Sequence, residues 1–357
     1  METLKRLEES LHLSQEVFDS YFSGDDDKIC AEVTDLCKKA YNEADCDAEY
    51  RIHRLLYKIY SLHSTLPSSG HETPENSYVL TKVRNLIENA FIKYLDRQIP
   101  NDFFELISTN SENFWRDVKE QIRNHKADNH PLYEQFLRRE ASVDDIKYYL
   151  LQESAIDAST DDYVALTQIG TKNEIKMEMA KNFWDEMGNG DIDLVHSHLF
   201  MKALTSLKLD EMNIFDIFEP ETFVCGNLQL MLALSRKYFY LSVGYFLAVE
   251  FMVPKRFGRV MLGWRRNNLD SGDEAYYKVH ITTDVEHTRG WVENVVVPLL
   301  RKYPDSRQDI LRGVYFRLFT STRYLDALFH KMSNNKKIDQ QEIMLKTTLN
   351  YQTTNVL

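Results

Sequence analysis

The chain has 357 residues, 43% of them hydrophobic, which is enough for a substantial core and room for two domains. Its formal net charge of −12 argues against a nucleic-acid surface or an anionic membrane as partner, because both would repel it. Cys30, Cys37, Cys46 and Cys225 show no C-x-x-C pairing and read as reduced packing residues of a cytoplasmic protein.

Only 12 Gly and 8 Pro interrupt the chain, and apolar residues recur with the helical period, so the expected fold class is all-α. The opening METLKRLEESLHLSQ is amphipathic and carries acidic residues, unlike a signal or transit peptide. Residues 1–63 predict three amphipathic helices, with Leu4, Leu7 and Leu11 on one stripe and Ile52, Leu55, Leu56 and Ile59 on another. The run STLPSSGHETPENS at 64–77 predicts a loop. Two or three further helices are expected through 78–95 and 114–125. ADNHP at 127–131 marks a boundary, because proline disfavours helix in the residue before it. Residues 1–128 thus form an N-terminal helical region suited to docking or dimerisation, 129–335 a second helical domain, and 336–357 a polar tail.

The second domain opens on Ser142-Val-Asp-Asp145, a capping-box signal for a helix expected to run to about residue 169. Ile146, Tyr149, Leu150 and Glu153 share one face of it, which sets a carboxylate on an apolar stripe. A helix over 171–187 ends in FWDEMGNG, whose glycines make a stop. Asp191 or Asp193 can cap the next segment, which carries His196 and His198, so Glu186 and His196 can meet across the bend. Residues 220–254 form the most apolar helix candidate. Charged residues within that run argue against a membrane span. In it, Glu250 stands inside GYFLAVEFMVP, where an isolated ionised carboxylate would cost several kcal/mol and must be neutral, paired or metal-bound.

After the loop NNLDSGDE comes YYKVHITTDVEHTRGW. At 3.6 residues per turn, His280, Asp284 and His287 fall within roughly 60° of arc, so one helix face presents two imidazoles and a carboxylate. A strand would separate His287 from the other two, but the apolar series continuing through Trp291, Val295 and Leu299 fits a helix better. A last amphipathic helix is expected over 310–332.

Collected, Glu153, Glu186, His196, Glu250, His280, Asp284 and His287 are carboxylates and imidazoles carried inward by four or more helices. That donor set suits a dinuclear transition-metal site, iron in particular, although the paired Glu-x-x-His of ferritin-like proteins is missing. The run E-M-G-N-G-D-I-D-L-V-H from Glu186 to His196, the apolar helix around Glu250, and His280-x-x-x-Asp284-x-x-His287 together resemble the heme-oxygenase-like diiron oxidases and oxygenases. The resemblance spans about residues 130–330 and implies a seven-helix heme-oxygenase-like bundle in which two ferrous ions replace the porphyrin. His196, Glu250, His280, Asp284 and His287 match the family positions, Glu186 matches the Glu before the glycines, and Glu153 matches by context.

The same resemblance implies O2 as co-substrate and an amino acid or amine as substrate, with N-oxygenation, oxidative C–C cleavage or desaturation as outcomes. The preceding helical region and the number of carboxylates are closest to N-oxygenating, homodimeric members acting in biosynthesis. An electron donor would serve the ferric site. Arg289, Arg317 and Arg323 are candidates for holding a substrate carboxylate. Two rival classes remain: a non-catalytic helical metal-binding or interaction protein, and a thiaminase-like hydrolase, which needs a nucleophilic cysteine for which only Cys225 is available in this domain.

Overall fold

The computed structural model describes residues 2–67, 72–158 and 160–333. The expected polar tail at 336–357 lies outside the described residues. All regular structure among the described residues is helical, as the composition implies. Four helices, not three, occupy the first stretch: α1 (Glu2–Ser10), α2 (Gln15–Tyr21), α3 (Asp26–Asn42) and α4 (Cys46–Ser64). The opening amphipathic run is broken by the turn after Ser10. Asp45 starts α4 by accepting from the Ala48 amide at 3.0 Å. The segment after α4 contains a 3-10 turn, Pro74–Asn76, before α5 (Tyr78–Asp96) and α6 (Ser111–Asn124).

Beyond the 127–131 stretch, a π-helical turn at Leu132–Glu140 leads to α7 (Val143–Glu153). The capping box forms as expected: the Ser142 hydroxyl accepts from the Asp145 amide, and the Asp145 carboxylate accepts from the Ser142 amide. The helix does not reach residue 169. It ends at Glu153, and α8 (Thr160–Thr167) follows a turn. Next come α9 (Asn173–Glu186), α10 (His196–Ser206) and the short α11 (Ile214–Ile217). The apolar run expected as one helix over 220–254 is two helices. In it, α12 (Pro220–Leu234) breaks at Arg236–Tyr238, and α13 (Phe239–Arg266) then runs straight through Pro254. α14 (Ala275–Gly290) passes through a π-helical turn at Trp291–Val296 into α15 (Val297–Lys302), and α16 (Ser306–Ser333) closes the fold.

The centre of the molecule is α13, which packs against α14 on one side and α16 on the other. The α13–α16 crossing is close because glycines face backbone at two points. A Cβ on Gly244 would lie 1.8 Å from the Ile310 carbonyl oxygen, and one on Gly313 would lie 2.0 Å from that of Leu241. One hydrophobic cluster runs from Leu4 and Ile52 through Val224 and Leu247 to Val314, so the N-terminal helices share a core with α12, α13 and α16. Arg323 of α16 reinforces that junction by pairing with both carboxylate oxygens of Glu49 on α4, at 2.8 and 2.7 Å. No helix among the described residues is long and apolar enough to cross a membrane.

Candidate metal centre

Three features of the local sequence bring the polar side chains inward. The first is the bend after α9. Gly188 has φ of +60°, Asn189 φ of +54° and Gly190 φ of +91°, left-handed values that glycine and asparagine tolerate best. A Cβ on Gly188 would also meet the Leu194 backbone at 2.6 Å. This tight reversal returns the chain so that His196 Nδ1 lies 2.9 Å from Glu186 Oε2. The second is the middle of α13, where Glu250 is buried among apolar neighbours. Pro254 stands four residues later and has no N–H, so the Glu250 carbonyl lacks its intrahelical donor. The third is the inward face of α14, which buries Tyr276, Tyr277, His280, Asp284 and His287 together.

Six of the seven sequence candidates gather into two trios. Glu186, His196 and His280 offer donor atoms within 4.8 Å of one another, as do Glu250, Asp284 and His287. All six side chains are buried. His280 and Asp284 are one helical turn apart on α14, which sets the trios side by side. In the first, His196 Nδ1 is 3.1 Å from His280 Nε2. The other nitrogen of His280, Nδ1, donates to the Tyr276 carbonyl at 2.7 Å, so its Nε2 is left with a lone pair turned toward Glu186 and His196. In the second, His287 Nδ1 lies 3.4 Å from Glu250 Oε2 and 3.7 Å from Asp284 Oδ1. Its Nε2 is 3.1 Å from Asp185 Oδ2.

Electrostatics sharpen this picture. Burial and the facing His196 push the His280 imidazolium down to about 4, so that ring is neutral and able to donate a lone pair near pH 7. Burial also opposes charge on His287, yet the carboxylates of Asp185, Glu250 and Asp284 outweigh it and raise its value to about 11. Burial and neighbouring Glu250 drive Asp284 well above the usual carboxylate range. Burial works against ionised Glu186 as well, but the contact with His196 prevails and lowers its value. Without a cation, then, three carboxylates and three imidazoles share one dry space in mutual conflict. Asp284 Oδ1 and His287 Nδ1 are buried with no hydrogen-bond partner. Buried polar atoms are rarely left so, and one divalent cation bound by the second trio would satisfy both. The residues present therefore fit a two-metal site with nitrogen and oxygen donors, a set that suits iron.

Glu153 is in neither trio. Its Oε1 accepts from the Tyr324 hydroxyl at 2.6 Å, and burial together with the neighbouring Glu153 raises the Asp157 carboxyl well above its usual range. Of the three arginine candidates, Arg289 is solvent-facing and pairs with Glu286 at 2.8 Å, Arg323 pairs with Glu49, and Arg317 is buried. His198 is in neither trio. Sequence reasoning missed Asp185 and Asp157. Asp157 follows Glu153 by four residues, a helical spacing that could have flagged it. Asp185 precedes Glu186 and carried no separate signal. All four cysteines are free, and burial raises the Cys225 thiol to about 11, which disfavours a nucleophilic thiolate there.

No curated protein matches the chain. Residues 147–320, which contain all seven candidate ligands, match the family model described as iron-containing redox enzyme, and over this stretch the protein is similar to iron-dependent oxidoreductases.

Proposed function

We propose that the protein is a non-heme diiron enzyme that uses O2 to oxidise an amino acid or amine, with N-oxygenation as the foremost reaction. The single observation that carries this reading is the pair of buried trios, the second of which leaves Asp284 Oδ1 and His287 Nδ1 without a partner. When bound, ferrous iron would supply the electrons that reduce O2. The chain's own part is to hold and shield. Glu186, His196 and His280 would hold one ion; Glu250, Asp284 and His287 the other. The Tyr276 carbonyl fixes the His280 tautomer, and Asp185 accepts the Nε2 proton of His287, so both rings are oriented before metal arrives. Three carboxylates offset much of the charge of two divalent ions. Packing by Phe257 and Tyr276, whose ring centroids lie 5.4 and 4.5 Å from that of His280, keeps bulk water from the first trio.

Anaerobic addition of Fe(II), followed by elemental analysis, should give two irons per chain. Exposure to O2 with a panel of amino acids and amines should then give O2 uptake and a product whose mass shift under labelled O2 separates oxygen insertion from C–C cleavage or desaturation. A chain that takes up two irons but consumes no O2 with or without reductant would be a metal-binding scaffold instead. A chain that takes up none would refute both.

A further inference from the structure

An open groove of about 480 Å³ lies between α6, α13 and α14, and the metal reading does not use it. Trp115 of α6 meets Phe251 of α13 edge to face there, with ring centroids 5.3 Å apart, and Val285 and Val292 extend the apolar lining. Lys119 and Arg123, one helical turn apart on α6, stand over the same Phe251 ring, 6.0 and 5.6 Å from its centroid. Two other cations of the lining are already paired, Lys255 with Asp128 at 3.1 Å and Arg289 with Glu286 at 2.8 Å. Among the described residues Lys119 and Arg123 have no carboxylate partner. Exposed Glu293 is the one lining carboxylate without a cation, so the unpaired charge of the groove is positive.

The groove runs beside the metal ligands without including them. Phe251, Val285 and Thr288 each follow a trio member by one residue, yet none of the six trio side chains lines the groove. Val285 is 56% exposed where Asp284 is 2%, so groove and trio lie on different faces of α14. An occupant would stand outside the ligand set, with only the α13–α14 wall between its ring and the ions. Atoms do not cross such a wall; electrons do.

We propose that this groove binds a phosphorylated flavin, flavin mononucleotide in its dihydro form, as the electron donor to the iron site. The inference rests on the oxidase reading for where the electrons go, but the binding itself does not. The flavin ring would pack against Trp115 and Phe251, and the phosphate would give Lys119 and Arg123 the anion they lack. A dihydroflavin gives up two electrons singly, one to each ferric ion, and becomes the oxidised flavin with release of two protons to solvent. A nicotinamide gives a hydride, which ferric ions do not accept, and its dinucleotide would overfill a groove of this size.

The first test is binding of oxidised flavin mononucleotide to the full chain in the dark, read by flavin fluorescence and calorimetry. Riboflavin, which lacks the phosphate, and inorganic phosphate, which lacks the ring, should each bind at least about tenfold more weakly. The double variant Lys119→Gln with Arg123→Gln should weaken flavin mononucleotide by a similar factor and leave riboflavin unmoved. Its iron count and helical circular dichroism should not change. Trp115→Leu should weaken both flavins. In anaerobic mixing of limiting dihydroflavin mononucleotide with the diferric chain, ferrous iron should form at least about tenfold more slowly in the double variant. Equal binding of the two flavins, undiminished binding or reduction in the double variant, or no flavin binding overturns the proposal. Iron counted on the same samples keeps the two readings apart. Flavin bound by a chain that takes up no iron would leave a flavin site and sink the oxidase, whereas two irons with no flavin bound would sink the donor site alone.

Discussion

Two interiors of this protein handle buried polar groups in opposite ways. Among the described residues, the N-terminal helices leave no fully buried side-chain polar atom without a partner. His53 meets the Tyr41 hydroxyl at 2.9 Å and Asn227 Nδ2 at 3.1 Å. Glu88 accepts from Tyr60 at 3.0 Å and pairs with Lys237 at 3.0 Å. Among the described residues, every buried side-chain polar atom without a partner belongs to residue 157 or beyond, including Asp157 Oδ2, Tyr277 Oη, Asp284 Oδ1, His287 Nδ1 and Arg317 Nε. Burial alone is therefore not the mark of a site. A buried charge that is already satisfied stabilises or merely fills the core, whereas one left open is held in place by its surroundings for something else to complete.

The sharpest way to break this contrast is to remove an open group. Asp284→Ala and His280→Ala take one member from each trio, so each should lose at least one of two irons and at least about 100-fold in O2-dependent turnover. Helical circular dichroism should stay nearly unchanged, since neither group closes a core hydrogen-bond network. Retention of two irons by either variant would mean that the trios are not the metal site.

A closed group should answer differently, through stability rather than chemistry. His53 is wholly buried, and burial lowers its value from 6.5 to about 4. In the unfolded chain it takes up a proton near pH 6.5, but in the folded chain it does so only near pH 4. The unfolded state thus binds more protons between those values, and folding stability falls as pH drops through that window, by about 3 kcal/mol from this residue. His53→Gln should be less stable at neutral pH yet show a shallower decline between pH 6.5 and 4 in urea titrations. An unchanged slope would show that His53 is not held neutral by the fold.

How much of this was legible in the chain depends on how local each signal is. His280, Asp284 and His287 could be read together because a single helix sets their geometry. Glu250 stood out as one carboxylate in an apolar run, and the Glu186–His196 bend announced itself through Gly188 and Gly190. The break after Glu153 was not readable, since SAIDAST holds neither glycine nor proline and its apolar spacing continues. The interruption at Ser235 is of the same kind: S-R-K-Y carries no helix-breaking residue, and the apolar pattern resumes at once. What closes Glu153 is Tyr324, 171 positions away, and what distinguishes Arg317 from Arg323 is that only the latter meets Glu49. Periodicity carries no information about such long-range partners.

Asp185 lies between the two behaviours and offers the finest test of the contrast. It is partly exposed, and its contact with His287 Nε2 at 3.1 Å lowers its own value below the usual carboxylate range. It belongs to neither trio, so it should not be needed for iron to enter. Its expected effect is on how well His287 Nδ1 is aimed and how basic that nitrogen is. Asp185→Asn keeps an acceptor for the Nε2 proton but removes the negative charge. Losing such a contact weakens metal binding by roughly 10- to 100-fold in comparable sites. Competition between the protein and a chelator for Fe(II) should therefore show one of two irons bound that much more weakly, with the other unmoved. The iron that weakens must be the one held with Glu250 and Asp284, so the double variant Asp185→Asn with Asp284→Ala should bind its remaining iron no more weakly than Asp284→Ala alone. A further loss in the double variant would place Asp185 in contact with the other trio as well, and the two-trio division would not hold.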